Sequence, residues 1–204
     1  MNPLNSMPRT IIVGVVVSVV IAALIGGYNF QILPLGRWLH FLAGIAWIGL
    51  LYYFNFVQVP ALNRAAADAG GPGGAGITRY VAPLALVWFR WAAVVTWLSG
   101  ALYLWLRTPG GDDFIGAFAL GMTGETLNVY QLVIGLGAWM GTIMLFNVWV
   151  LIWPNQKKLL GMVPASDEEK ARAKRTAFLA SRTNTVLSIP MLMCMGGASH
   201  GLPF

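Results

Sequence analysis

Apolar residues run along this chain in long blocks separated by short polar stretches, and the length of those blocks fixes its class. Five are continuous enough to matter: Thr10 to Phe30, Leu35 to Val59, Val81 to Leu106, Leu127 to Trp153 and Thr183 to Leu202. A hydrocarbon layer about 30 Å thick is crossed by a helix of ~20 apolar residues, and each block reaches roughly that length. The pattern predicts an all-α integral membrane helical bundle of about five transmembrane helices, residues 1–204 forming one domain. The first block follows a short polar start with Arg9. Its apolar run exceeds the about 7–15 residues of a cleaved signal core, so it is expected to stay in place as a span.

The polar breaks differ in kind. Ala65 to Gly76, AAADAGGPGGAG, has too little apolar bulk to pack and reads as a flexible tether. Thr108 to Thr126 reads as an acidic loop carrying Asp112, Asp113 and Glu125. Ser166 opens S-D-E-E, in which Ser166 can cap a helix and Glu169 can reach back to complete a capping box. A charged helix should therefore run from about Ser166 towards Arg182 and into the last block, bent inside the membrane at Pro190.

Composition agrees with the pattern, with 57% of residues hydrophobic and 10% charged. The net charge of +6 is not a nucleic-acid footprint, because its distribution follows the loops. Arg9, Arg64, Arg79 and the run from Lys157 to Arg182 fall on alternate sides from Arg37 and Arg107. By the positive-inside rule the amino terminus is cytoplasmic and the carboxyl terminus outside, as in a multi-pass membrane protein. Cys194 is the single cysteine, so no disulfide forms within the chain, and no C-x-x-C-H attaches a haem covalently.

Two constellations carry candidate chemistry. His40 and His200 are the only histidines, and this orientation places both towards the outer surface, one on span two and one on span five. An imidazole from each helix could supply the two axial nitrogens to the iron of a haem b, with Arg37 one turn before His40 to meet a propionate. Gly44, Gly196 and Gly197 would leave room for the macrocycle. The alternative is an interfacial His40 bonded to a backbone carbonyl and a solvated His200.

The second constellation lies towards the cytoplasmic side. Arg90 sits about ten residues into span three, and no span offers it a carboxylate. An arginine at mid-helix costs ~2.5–3.5 kcal/mol, so it faces the bundle interior, a wet cavity or an anion. Asn55, Gln58, Asn147 and Asn184 fall at similar depth and could complete a pocket for a planar anion or a quinone headgroup. Snorkelling of Arg90 with ordinary amide bonds between helices is the alternative. Most of the nine tryptophans read as interfacial belt or packing, and Gly137 with Gly141 as a close helix contact.

Four stretches carry a resemblance: WLHFLAGIAWIGLLYYFNFVQVP, WFRWAAVVTWLSGALYL, GAWMGTIMLFNVWVLIWPNQKK and ASRTNTVLSIPMLMCMGGASH. Together they resemble the membrane domain of the bacterial membrane-bound urate oxidase, or urate hydroxylase, here without its cytochrome c domain. The resemblance covers four of the five spans in order. It sets His40, Trp47, Arg90, Trp97, Thr142, Asn147, Asn184, Pro190 and His200 on matching positions, while Gly135 and Thr183 stand where further histidines are expected. It implies oxidation of urate to 5-hydroxyisourate with electrons passed to a c-type cytochrome. Arg90, Asn147 and Asn184 would be catalytic, Arg90, Asn55 and Trp47 would bind substrate, and His40, His200 and Arg37 would hold haem b. The span-two pattern is also loosely similar to haem-binding four-helix membrane families. A non-catalytic haem b electron-transfer subunit, working between quinone and an outer partner, is the second reading. A docking surface for a basic cytochrome c is expected on Asp112, Asp113 and Glu125.

Overall fold

A computed structural model describes residues 2–26 and 29–203 and contains helices and turns but no strand among them. Gly27 and Tyr28, near the end of the first expected span, lie outside the described residues. The chain divides into two compact units, 1–34 and 35–204. The first contains a short 3-10 turn and helix α1, Met7–Gly26, none of whose residues is buried.

The second unit is a bundle. Helix α2 (Ile32–Tyr52) leads through a π-helical turn into α3 (Val59–Ala67), and another π turn opens α4 (Ala82–Arg107). After α4 come α5 (Asp112–Phe118), α6 (Val129–Phe146), a third π turn, α7 (Trp153–Leu159) and α8 (Asp167–His200). Four continuous helical stretches are long and apolar enough to cross a membrane: Met7–Gly26, Ile32–Ala67, Ile77–Arg107 and Val129–Leu159. The fifth expected span is the second half of α8, which falls outside that set because Asn184, Ser188 and His200 dilute its apolar run.

The three π turns have one cause. They occupy Tyr53–Gln58, Ile77–Val81 and Asn147–Ile152, and each ends two residues before a proline: Pro60, Pro83 and Pro154. A proline inside a helix clashes with the carbonyl one turn back and offers no N–H. Widening the preceding turn relieves that clash, and the residue before each proline donates five residues back: Val59 to Phe54, Ala82 to Ile77, Trp153 to Val148. The π turns lie towards one end of the bundle, where α3, α7 and the first half of α8 gather Arg64, Lys157, Lys158 and the lysines and arginines from Lys170 to Arg182. This is called the basic end below.

The core joins all the long helices of this unit. Trp47 and Leu51 of α2 pack with Phe89 and Ala93 of α4, Met144 and Val148 of the α6 segment, and Met191 of α8. α6 and α8 run antiparallel in close contact, and Gly137 lies against Cys194 and Met195. Cys194 is free and buried, as expected of a lone thiol. The capping box at Ser166 is formed in both directions, and α8 runs unbroken from it through Pro190 to His200.

The stretch read as an acidic loop contains a helix. Its apolar residues fold α5 back onto the bundle through an aromatic ladder, Trp105–Phe114–Phe118–Trp139, with ring centroids 5.9, 4.9 and 5.4 Å apart. Asp113 is buried, accepting from Arg107 at 3.0 Å and from Gln131 at 3.2 Å. The expected docking surface therefore keeps Asp112 and Glu125 but loses Asp113, whose charge is spent inside the protein.

Candidate functional site

Three of the residues named from the sequence, Asn55, Asn147 and Asn184, make bonds towards the basic end. Asn147 Nδ2 donates to Asn184 Oδ1 at 2.8 Å, and Asn184 Nδ2 donates to the Met144 carbonyl at 3.0 Å. Asn55 Nδ2 donates to the Leu51 carbonyl at 2.9 Å and to Ser181 Oγ at 2.8 Å. All three amides are buried, Asn184 completely. Asn55 and Asn147 both stand inside π turns, so the widened backbone that each proline imposes also aims an amide at α8. Tyr52 adds a hydroxyl contact to Ser188 at 3.0 Å, so α2 meets α8 over this half of the bundle.

Arg90 stands on Trp153, which follows the π turn that holds Asn147. Its guanidinium sits 3.8 Å from the centroid of the Trp153 ring, a cation–π contact, and its Nη1 is buried with no hydrogen-bond partner. Trp47, only 2% exposed in the bundle centre, also has a buried Nε1 without a partner. Among the described residues the other such atoms are Gln58 Oε1, Trp149 Nε1 and Arg182 Nε. Four of these five orphans are donors, and all five belong to residues between the bundle centre and the basic end. Buried polar groups in folded proteins are nearly always paired with protein or with ordered water.

Towards the opposite end, His40 Nδ1 donates to the Thr96 carbonyl of α4 at 2.8 Å. Arg37 and His200 are exposed. The two histidines are not in contact. Pairing of Tyr52 with Ser188 sets His40, twelve residues before one, level with His200, twelve residues after the other. Pairing of Asn55 with Ser181 instead sets His200 about 6 Å further out. α2 meets α8 closely only nearer the basic end, and a His40 on a backbone carbonyl with an exposed His200 is the arrangement of the interfacial alternative. Gly135, where a further histidine was expected, is closed to any side chain because a Cβ there would overlap the Ala117 carbonyl.

Sequence reasoning missed the Asn184–Met144 bond and the partner of Asn55, Ser181. A serine one turn from Asn184 on the same helix was the available signal. Trp97, placed by resemblance alone, donates from Nε1 to Thr142 Oγ1 at 2.8 Å and ties α4 to α6 beside an open apolar groove of about 360 Å³.

Residues 122–204 match the family model described as urate oxidase N-terminal. The resemblance to that family is borne out over this segment, which is less than half of the chain. It contains Asn147, Asn184 and His200 and stops short of His40 and Arg90. No curated protein and no solved structure matches the chain.

Proposed function

We propose that the chain is the membrane part of a urate-oxidising system, binding urate or a related purine anion at the basic-end site and delivering its electrons to a separate c-type cytochrome. The urate oxidase N-terminal match over residues 122–204, which brings Asn147 and Asn184 with it, is the observation that carries this reading. The donor-rich orphans support it independently. Urate is planar, anionic at neutral pH and edged with carbonyl oxygens, so it offers acceptors where Arg90 Nη1 and Trp47 Nε1 lack them.

Oxidation of urate to 5-hydroxyisourate consumes one water and releases two protons and two electrons. In this reading Arg90 binds the anion, and its stacking on Trp153 holds the guanidinium in one plane. Asn184, fixed by the Met144 carbonyl, orients Asn147 and leaves the Asn147 oxygen to accept from a purine N–H. Asn55 and Trp47 border the ring. The buried, mostly apolar surroundings strengthen each of these contacts relative to water.

Haem b fits at His40 by the chemistry of that residue, because an imidazole whose Nδ1–H is tied to a carbonyl presents Nε2 as a ligand. His200 would join His40 in holding the iron, and Arg37 would meet a propionate. Such a haem supplies a one-electron carrier between the purine and the outer cytochrome. We place the chain in the bacterial inner membrane, amino terminus inside, with Asp112 and Glu125 facing the cytochrome.

The pairing of all three amides within the protein favours a second reading, a haem b electron-transfer subunit that takes electrons from quinone and has no substrate of its own. Urate titrated into the purified protein separates the two. Saturable binding that Arg90→Gln weakens at least tenfold supports the purine site, and no binding at millimolar urate rejects it.

A further inference from the structure

His40 is held by α4 through one hydrogen bond and a close approach of its ring to the backbone. The Thr96 carbonyl can only accept, so the proton of the hydrogen bond resides on Nδ1. The ring lies directly on Gly100. A Cβ at that position would stand 2.7 Å from His40 Cε1 and 2.9 Å from Nδ1, distances that real Cβ atoms essentially never show. The obstructing group is a planar ring pinned by its own hydrogen bond, so it cannot swing away as a flexible chain end would. One turn along α2, a Cβ added at Gly44 would stand an ordinary 3.7 Å from Thr96 Cγ2, so the two helices approach along small residues and the imidazole fills the gap between them.

We propose that Gly100 and the Thr96 carbonyl are positioning elements that hold His40 as a single tautomer, with the proton on Nδ1 and the Nε2 lone pair free to ligate a metal centre. The identity of that metal rests on the haem reading above, whereas the tautomer does not. A histidine serving only to bridge two helices needs one bond from either nitrogen. A ligating histidine needs its second nitrogen committed beforehand, since a carbonyl partner both fixes the ring and raises the basicity of the nitrogen that binds. Thr96 serves through its backbone, because its own hydroxyl is turned to the Ala92 carbonyl at 2.7 Å.

The test is nitrogen magnetic resonance of the full chain, isotope-labelled at histidine, in detergent, without added haem and at alkaline pH. His200→Asn leaves His40 as the only histidine and assigns its signals. The expected spectrum shows one tautomer, protonated at Nδ1 and bare at Nε2. It persists in Gly49→Ala, where the added Cβ meets nothing within 4 Å, and is lost in Gly100→Ala. A wild-type His40 protonated at Nε2, or averaging between both forms, overturns the proposal, as does a Gly100→Ala protein that keeps the wild-type tautomer. Should Gly100→Ala fail to fold, the wild-type spectrum still decides. A correct tautomer in a protein whose reduced spectrum lacks haem bands would reject haem as the metal while leaving the seat of His40 standing.

Discussion

At the residue scale the proposed purine site rests on Arg90, which has an aromatic platform in Trp153 and a buried Nη1 without a protein partner. Replacing it with glutamine removes a charge-assisted hydrogen bond worth about 1.5–3 kcal/mol, and urate affinity should fall roughly 10- to 100-fold in a binding titration. Asn184 behaves differently, because it is completely buried and satisfied on both sides. Asn184→Ala strands the Asn147 side-chain donor, while the Met144 carbonyl keeps its backbone partner, and should cost about 1–3 kcal/mol of stability, read as a lowered unfolding midpoint in detergent. Arg90 was legible in the sequence because a charge inside an apolar block is conspicuous. The bond of Asn55 to Ser181 was not, and for His40 a carbonyl partner was expected without its identity as Thr96, since a partner on another helix is fixed by rotation about the helix axis, which apolar length does not specify.

Elements carry that information from sequence to site. Three prolines each widen the preceding turn, and two of the resulting π turns present Asn55 and Asn147 to α8. Pro154→Ala restores an N–H at that position and should let the segment Asn147–Ile152 return to regular α-helix. Hydrogen exchange should then slow across that segment, and the Asn147–Asn184 contact should weaken through the changed rotation. The cap of α8 was fully readable, because Ser166 and Glu169 stand three residues apart ahead of a long helix. Ser166→Ala should cost about 0.5–2 kcal/mol and fray the first turn.

The same cap gives a pH dependence. The Ser166 backbone N–H, with further help from Lys158, holds the Glu169 carboxyl below its usual range. A carboxyl with a lowered folded pKa stabilises above its unfolded pKa and loses that contribution as pH falls through the folded value. Protection of the first turn of α8 from hydrogen exchange should therefore decline in acid, and Glu169→Gln should abolish that dependence. Helix α5 was the element the sequence concealed. Its seven residues are too short for a periodic signal, and its two aspartates read as a solvated loop until one of them is seen buried against Arg107.

At the scale of the molecule, the proposed function assigns different tasks to the two ends of one bundle. Orphaned donors, amide bonds and proline-linked π turns collect towards the basic end, while His40, Gly100 and the α5 cap lie towards the other. A purine anion at one end and an electron carrier at the other would set the direction of electron flow along the bundle. The all-helical architecture was legible from block length alone. The number of spans was less so, because the buried face of α8 spends apolar residues on Asn184 and Ser188 to bond its neighbours.

The most direct test of this division is an anaerobic difference spectrum of the purified protein, reduced first by urate and then by dithionite, for wild type, Arg90→Gln and His40→Ala. The expected result is b-type bands in the wild type with either reductant, bands in Arg90→Gln with dithionite but not with equal urate, and none in His40→Ala. A wild-type protein that shows no b-type bands even with dithionite would contradict the haem, and bands that urate never elicits would contradict the purine.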